Sequence, residues 1–141
     1  MIDFHISWVP VLVVALVNFF GSWLYYSPVS PFFRTWQRGL GMDPNNRTMT
    51  DDQKKAMPRL MGGAVVGTIL FSYGLAVLVQ SLNLDTFSQG MLAGFVAWFA
   101  FAVTHSLNTQ FEGRKPIILL INDLWFLLTY ALLGGWLAVW R

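Results

Sequence analysis

The chain has 141 residues, of which 55% are hydrophobic, 16% aromatic and only 11% charged, with a mean hydropathy of +0.53; a soluble domain carries about 25% charged residues. The net charge of +2 and pI near 9.2 do not mark a nucleic-acid partner, because the few Lys and Arg sit in loops rather than across one folded face. There is no cysteine, which excludes disulfides, thiolate metal sites and cysteine nucleophiles together.

In chain order, Ile6 to Phe33 is the first uncharged stretch. No Lys or Arg precedes its apolar core and no small-x-small cleavage pattern follows, so it reads as a retained span rather than a secretory signal. In the following PFFRTWQRGLG, Phe32, Phe33, Trp36 and Leu40 share one helical face and Arg34, Gln37 and Arg38 the other. That pattern predicts a short interfacial amphipathic helix in the headgroup layer, opened by Pro31 and closed by Gly39 or Gly41. Thr50 with Gln53 predicts a capping box, so the next helix starts near Asp51 and meets Pro58 at the membrane surface. Leu60 to Leu84, Thr86 to Phe111 and Pro116 to Trp140 follow, the last broken only by Asp123.

Each stretch can cross about 30 Å of hydrocarbon at about 1.5 Å per residue. None alternates with period two, so a barrel is excluded and all four are helices. The expected fold is all-α: a single integral membrane domain over 1–141, a bundle of four transmembrane helices at about 6–26, 59–81, 89–109 and 117–139. Arg34, Arg38, Arg47, Lys54, Lys55 and Arg59 lie in the first loop and Arg114 and Lys115 in the third, against Arg141 alone on the other side. The positive-inside rule then places both loops in the cytoplasm and both termini outside, in the cytoplasmic (inner) membrane.

Polar groups at membrane depth are costly unless they meet a partner or water. Asn18 lies eight residues before Tyr26, His105 seven before Glu112 and Asp123 seven after Pro116, which puts all three on the order of 10–12 Å below the cytoplasmic surface. Trp98, Phe101, His105, Asn108 and Glu112 form one stripe at helical spacing, and Pro116, Leu119, Asp123, Tyr130 and Gly134 another. The expectation is one inward-facing pocket of Asn18, His105, Asn108, Asn122 and Asp123, with Asp123 as charged anchor and His105 as its titratable partner. A structural alternative stands beside it: these groups satisfy one another and hold the helices in register.

Gly63, Gly67 and Gly74, and separately Gly90 and Gly94, recur at spacings that allow close helix packing, within a subunit or between subunits. Trp8, Trp23, Trp36, Trp136 and Trp140 fall near span ends, whereas Trp98 and Trp125 lie deeper and read as packing. His5 and His105, the two histidines, are expected at opposite ends, so no metal site forms from them. One candidate axial ligand does not make a haem site, and no cofactor is expected. Ser106 adjoins His105, but neighbours on a helix point about 100° apart, so a hydrolytic site is not expected and the protein is read as no enzyme.

The segments NFFGSWLYYSPVSPFFRTW, TDDQKKA and NTQFEGRKPIILLINDLWFLLTYALLGGWLAVW resemble the domain-of-unknown-function family 1761, small four-helix bacterial membrane proteins. The resemblance covers nearly the whole chain and is most specific at Asn18, Gly21, Trp23, Tyr26-Ser27-Pro28 and the Phe111-Glu112-Gly113-Arg114 turn. It implies fold and membrane location but no activity. Gly113 suits a tight turn, and Glu112 and Arg114 are suited to pairing with first-loop charges or anionic headgroups.

Two functions follow as expectations. One is binding or transport of a small solute or ion, with protons as one form of coupling, through a cytoplasm-facing polar pocket. The other is a non-transporting accessory or scaffold subunit. Partners are the lipid bilayer and further copies of the chain, or a larger membrane complex; nucleic acid is not among them.

Overall fold

A computed structural model describes residues 2, 4–46 and 48–140; Arg47 and Arg141, counted above among the basic charges, lie outside the described residues. The elements are α1 (Trp8–Tyr25), α2 (Phe33–Gly39), α3 (Asp51–Ser81), α4 (Phe87–Ala97), a π-helical segment (Trp98–Val103), α5 (Thr104–Thr109), a 3₁₀ turn (Gln110–Glu112) and α6 (Pro116–Val139). No strand occurs among the described residues. Four helical units are long and apolar enough to cross a membrane: Trp8–Tyr25, Asp51–Ser81, Phe87–Glu112 and Pro116–Val139. The third is composite, running through α4, the π segment, α5 and the 3₁₀ turn.

Local chemistry sets the boundaries. Thr50 Oγ1 accepts from the Gln53 N–H and Gln53 Oε1 from the Thr50 N–H, so α3 starts on a complete capping box. Thr86 and Gln89 repeat the device at the start of α4. Pro116 opens α6, where a missing N–H costs nothing. α1 stops before Ser27-Pro28, with Ser27 Oγ donating to the Leu24 carbonyl. Gly41 (φ +76°) and Gly113 (φ +77°) take left-handed conformations just beyond α2 and the 3₁₀ turn. The amphipathic reading of α2 holds for Phe33, which is buried, and for Arg34 and Arg38, which are exposed; Leu40 is exposed as well.

Burying apolar area does not drive helix association in lipid, so backbone proximity and polar contacts matter more. α4 and α6 make the closest approach. A Cβ on Gly94 would overlap the Tyr130 carbonyl, and one on Gly90 the Gly134 carbonyl. Near the chain termini, Val11, Val14, Leu75, Ala76, Leu133 and Leu137 form a core shared by α1, α3 and α6, and Trp8 stacks on Tyr73 with ring centroids 5.4 Å apart. Toward the basic loops α3 leaves this packing: from Asp51 to Gly67 every residue except Met57 is exposed. Gly63, Gly67 and Gly74 belong to this difference. An added Cβ at each meets nothing within 4 Å, so they mediate no close approach within the subunit.

Candidate functional site

The divergence of α3 leaves a cavity of about 560 Å³ in the loop-side half of the bundle. Every helical unit contributes to its wall: Asn18, Ser22 and Tyr26 from α1 and its C-terminus, Trp36 from α2, and Ala64, Gly67, Thr68 and Phe71 from α3. Phe101, Ala102 and His105 come from the third span, and Asn122, Trp125, Phe126, Thr129 and Tyr130 from α6. Seven of the sixteen lining residues are Phe, Tyr or Trp. Among the described residues, no Lys, Arg, Asp or Glu lines it.

Asn18, His105 and Asn122, three of the five residues expected in a polar pocket, are brought together in this wall. Asn18 is buried, its backbone carbonyl accepting from Ser22 Oγ at 2.8 Å. Asn122 Oδ1 accepts from Tyr26 Oη at 2.9 Å, tying the end of α1 to α6. Beside it Tyr25 Oη donates to the Ile121 carbonyl at 2.9 Å, and Tyr25 packs on Trp125 while Tyr26 packs on Trp36, each with centroids 5.0 Å apart. Gly21 leaves the room that Trp125 fills: a Cβ there would lie 2.7 Å from the indole. Among the described residues, the Asn18 and Asn122 amide N–H groups and the His105 ring make no hydrogen bond within the chain.

Asp123 and Asn108 take other positions. The Asp123 carboxylate accepts from Ser106 Oγ at 2.5 Å, and its backbone carbonyl accepts from Trp98 Nε1 at 3.0 Å. His105 lies near enough for a Coulombic interaction with Asp123, but the expected pair is not hydrogen-bonded; Ser106 holds the carboxylate instead. Asn108 is exposed and stands outside the cavity wall. The π segment explains both departures. Gly90, Gly94 and Ala97 are the buried face of α4, and an unbroken α-helix would continue that face through residues 101, 105 and 108. A π segment holds an extra residue per turn, so the face resumes one position later, at Ala102, Ser106 and Thr109, all buried. His105 and Asn108 are thereby rotated off the α6 contact.

The signal for Ser106 was present as a hydroxyl residue within a span, where hydroxyls bond across helices. A straight-helix count that turns His105 inward points Ser106 about 100° away from the same face. At the turn, Glu112 pairs with Arg114 at 3.4 Å, Gly113 supplies the reversal, and Phe111 is 93% exposed. Trp23 is exposed on the outer side of α1. No group of three or more His, Cys, Asp or Glu capable of holding a metal ion occurs among the described residues.

Helices and cavity together define a multi-pass, membrane-type helical bundle with an aromatic chamber among its spans. The chain belongs to the family DUF1761, proteins of unknown function, whose model matches residues 9–138. No curated protein and no solved structure gives a match to it.

Proposed function

We propose that the protein binds a small molecule within the membrane, in the cavity between α1, α3, the third span and α6, and serves in its transport or retention. The observation that carries this reading is the size and composition of the cavity. About 560 Å³ of space lies within the range of small-molecule sites, and an apolar wall with a few convergent polar groups is the usual makeup of such sites. Unpaired amide and imidazole groups of Asn18, Asn122 and His105 supply hydrogen-bonding capacity that the chain itself leaves unused. A binding role, not a catalytic one, is favoured because Ser106, whose hydroxyl donates to the Asp123 carboxylate, is buried and stands outside the cavity wall. An ion is the weaker choice of cargo, since no carboxylate lines the wall.

The orientation belongs to the same proposal: cytoplasmic membrane, basic loops inside, termini outside. The test is extraction of the purified protein and analysis of what is released. Wild type is expected to retain a small molecule in fixed proportion, and Gly67→Leu, which fills the cavity from a position with no neighbouring atoms, to lose it while unfolding at no lower a temperature. Equal retention by both would sink the proposal.

A second reading, an accessory or scaffold subunit or a homo-oligomer, is favoured by the exposed first half of α3, where Gly63 and Gly67 have no neighbour. Fixed co-purification with a membrane partner that is lost on Gly63→Leu would support it.

A further inference from the structure

A second cavity, of about 420 Å³, lies between α1 and the diverging half of α3. It shares Ser22, Tyr26, Ala64 and Thr68 with the central one and is otherwise bounded by groups on the outer side of the bundle, among them Trp23 and Met61. Trp23 is 69% and Met61 43% exposed. The two cavities therefore adjoin along the same four residues, two from α1 and its end and two from α3, and the second lies between the chamber and the outer side of the bundle. The residues at this junction are small on the α3 side, Ala64 and Thr68, with Gly67 beside them and open space where a Cβ would stand. At the loop end, by contrast, Trp36 of α2 stands against Tyr26 and forms part of the wall.

We propose that the ligand is an uncharged amphiphile that reaches the chamber sideways from the bilayer through the α1–α3 gap, its polar head against Asn18, Asn122 and His105 and its chain in the gap. This rests on the reading that the chamber holds a small molecule, and it names the class. Two features select it. A charged head would find no Lys, Arg, Asp or Glu in the chamber wall among the described residues, and an unpaired charge at this depth is costly. An apolar chain, in turn, finds aromatic walls inside and lipid outside, so the passage costs it no contact with water. The unused amide N–H groups are donors, which suit a hydroxyl or carbonyl head.

The test uses protein in phosphatidylcholine nanodiscs and two photoreactive fatty alcohols, one with a diazirine near the hydroxyl and one with it at the chain end, each mapped by peptide mass spectrometry. Expected labelling is at Phe71 and Phe126 for the first and at Trp23 and Met61 for the second, with both falling at least about tenfold in Gly67→Leu, a factor worth about 1.4 kcal/mol. Gly67→Trp serves as a second filling variant should Gly67→Leu fail to fold. Labelling spread evenly over outward residues such as Phe95 and Phe99, or insensitive to both variants, overturns the proposal. A released molecule that is hydrophilic or charged, lost on filling the chamber, together with no chamber labelling by the alcohols, overturns this inference and leaves the binding function standing. Absence of both a released molecule and chamber labelling ends both. A second copy of the chain occupying the gap would show as loss of Trp23 and Met61 labelling with copy-to-copy crosslinks, and counts against the proposal.

Discussion

Ser106 on α5 donates to the Asp123 carboxylate on α6 at 2.5 Å, and this bond fixes the rotation of the third span about its own axis. It exists because the π segment Trp98–Val103 advances the buried face by one residue. Thr109 Oγ1 in turn donates to the Ser106 carbonyl at 2.7 Å, so two successive buried hydroxyl residues continue the face after the π segment. With Ser106 turned toward α6, the neighbouring His105 is turned into the cavity wall.

Ser106→Ala is therefore expected to destabilise the protein by about 1–3 kcal/mol, since it leaves a partly buried carboxylate without its partner in a medium that offers few others. His105→Ala, which breaks no hydrogen bond, is expected to cost less. Asp123→Asn keeps an acceptor for Ser106 and is expected to fall between them. Denaturant unfolding in detergent ranks the three; a His105 variant weaker than the Ser106 variant would show that the shifted face does not carry the contact.

The glycines divide into two groups with opposite expected responses. Gly94→Ala places a methyl group against the Tyr130 carbonyl, and overpacking of this kind costs about 1–3 kcal/mol because backbone must move. Gly67→Ala adds a methyl group in open space within a helix and is expected to stabilise by up to about 1 kcal/mol through helix propensity. Unfolding midpoints of the two variants, measured in the same detergent, are expected to move in opposite directions.

Much of the architecture could be read from the chain because lipid imposes a simple rule on it. Uncharged stretches long enough to cross had to be helices, and Thr50 with Gln53 marked the start of α3 by a local reciprocal bond. Depth can also be counted, and the count puts Asn18, His105 and Asp123 at one level, with Asn122 beside Asp123. Facing could not be counted through Trp98–Val103, because the helical period changes there and nothing in Trp-Phe-Ala-Phe-Ala-Val announces it. Hence a straight-helix count points Asn108 inward and Ser106 away from α6. The size of the cavity and its opening beside α3 are not legible for a different reason: they arise from the divergence of α1 and α3, a relation between distant segments that no local pattern encodes. Gly63, Gly67 and Gly74 illustrate the same gap, since their spacing is compatible with packing yet does not say against what.

The Tyr26–Asn122 hydrogen bond joins the end of α1 to α6 at the cavity wall. Tyr26→Phe and Asn122→Leu are each expected to cost about 0.5–1.5 kcal/mol in stability. In a double-mutant cycle the pair is expected to couple by an energy of the same order, because removing either partner already removes the bond. Additive effects would show that the two side chains act independently.

Turn chemistry at Gly113 permits a sharper comparison. Its φ of +77° is strained for any residue with a Cβ, so Gly113→Ala is expected to cost about 1 kcal/mol and Gly113→Asn less, Asn being more tolerant of this region. The neighbouring Glu112–Arg114 pair is exposed on both sides, and exposed ion pairs contribute about 0–1 kcal/mol. Glu112→Gln is therefore expected to change stability less than Gly113→Ala does, a ranking that thermal unfolding of the two variants checks directly.

The absence of cysteine allows the orientation to be tested with single introduced thiols. Ser7 precedes α1 at the end opposite the basic loops, whereas Asn45 lies in the first basic loop, between α2 and α3. If that loop faces the cytoplasm, a membrane-impermeant maleimide added to intact cells is expected to label Ser7→Cys and to spare Asn45→Cys until the membrane is opened. Lys and Arg in short loops favour the cytoplasmic side by their cost of translocation. Replacing Arg34, Arg38, Lys54, Lys55 and Arg59 by Gln removes five of the eight loop charges and is expected to produce a mixed population in which both sites label partially. Labelling of Asn45→Cys alone in the unmodified background would reverse the topology and place the Asn18, Asn122 and His105 groups nearer the outer face of the membrane.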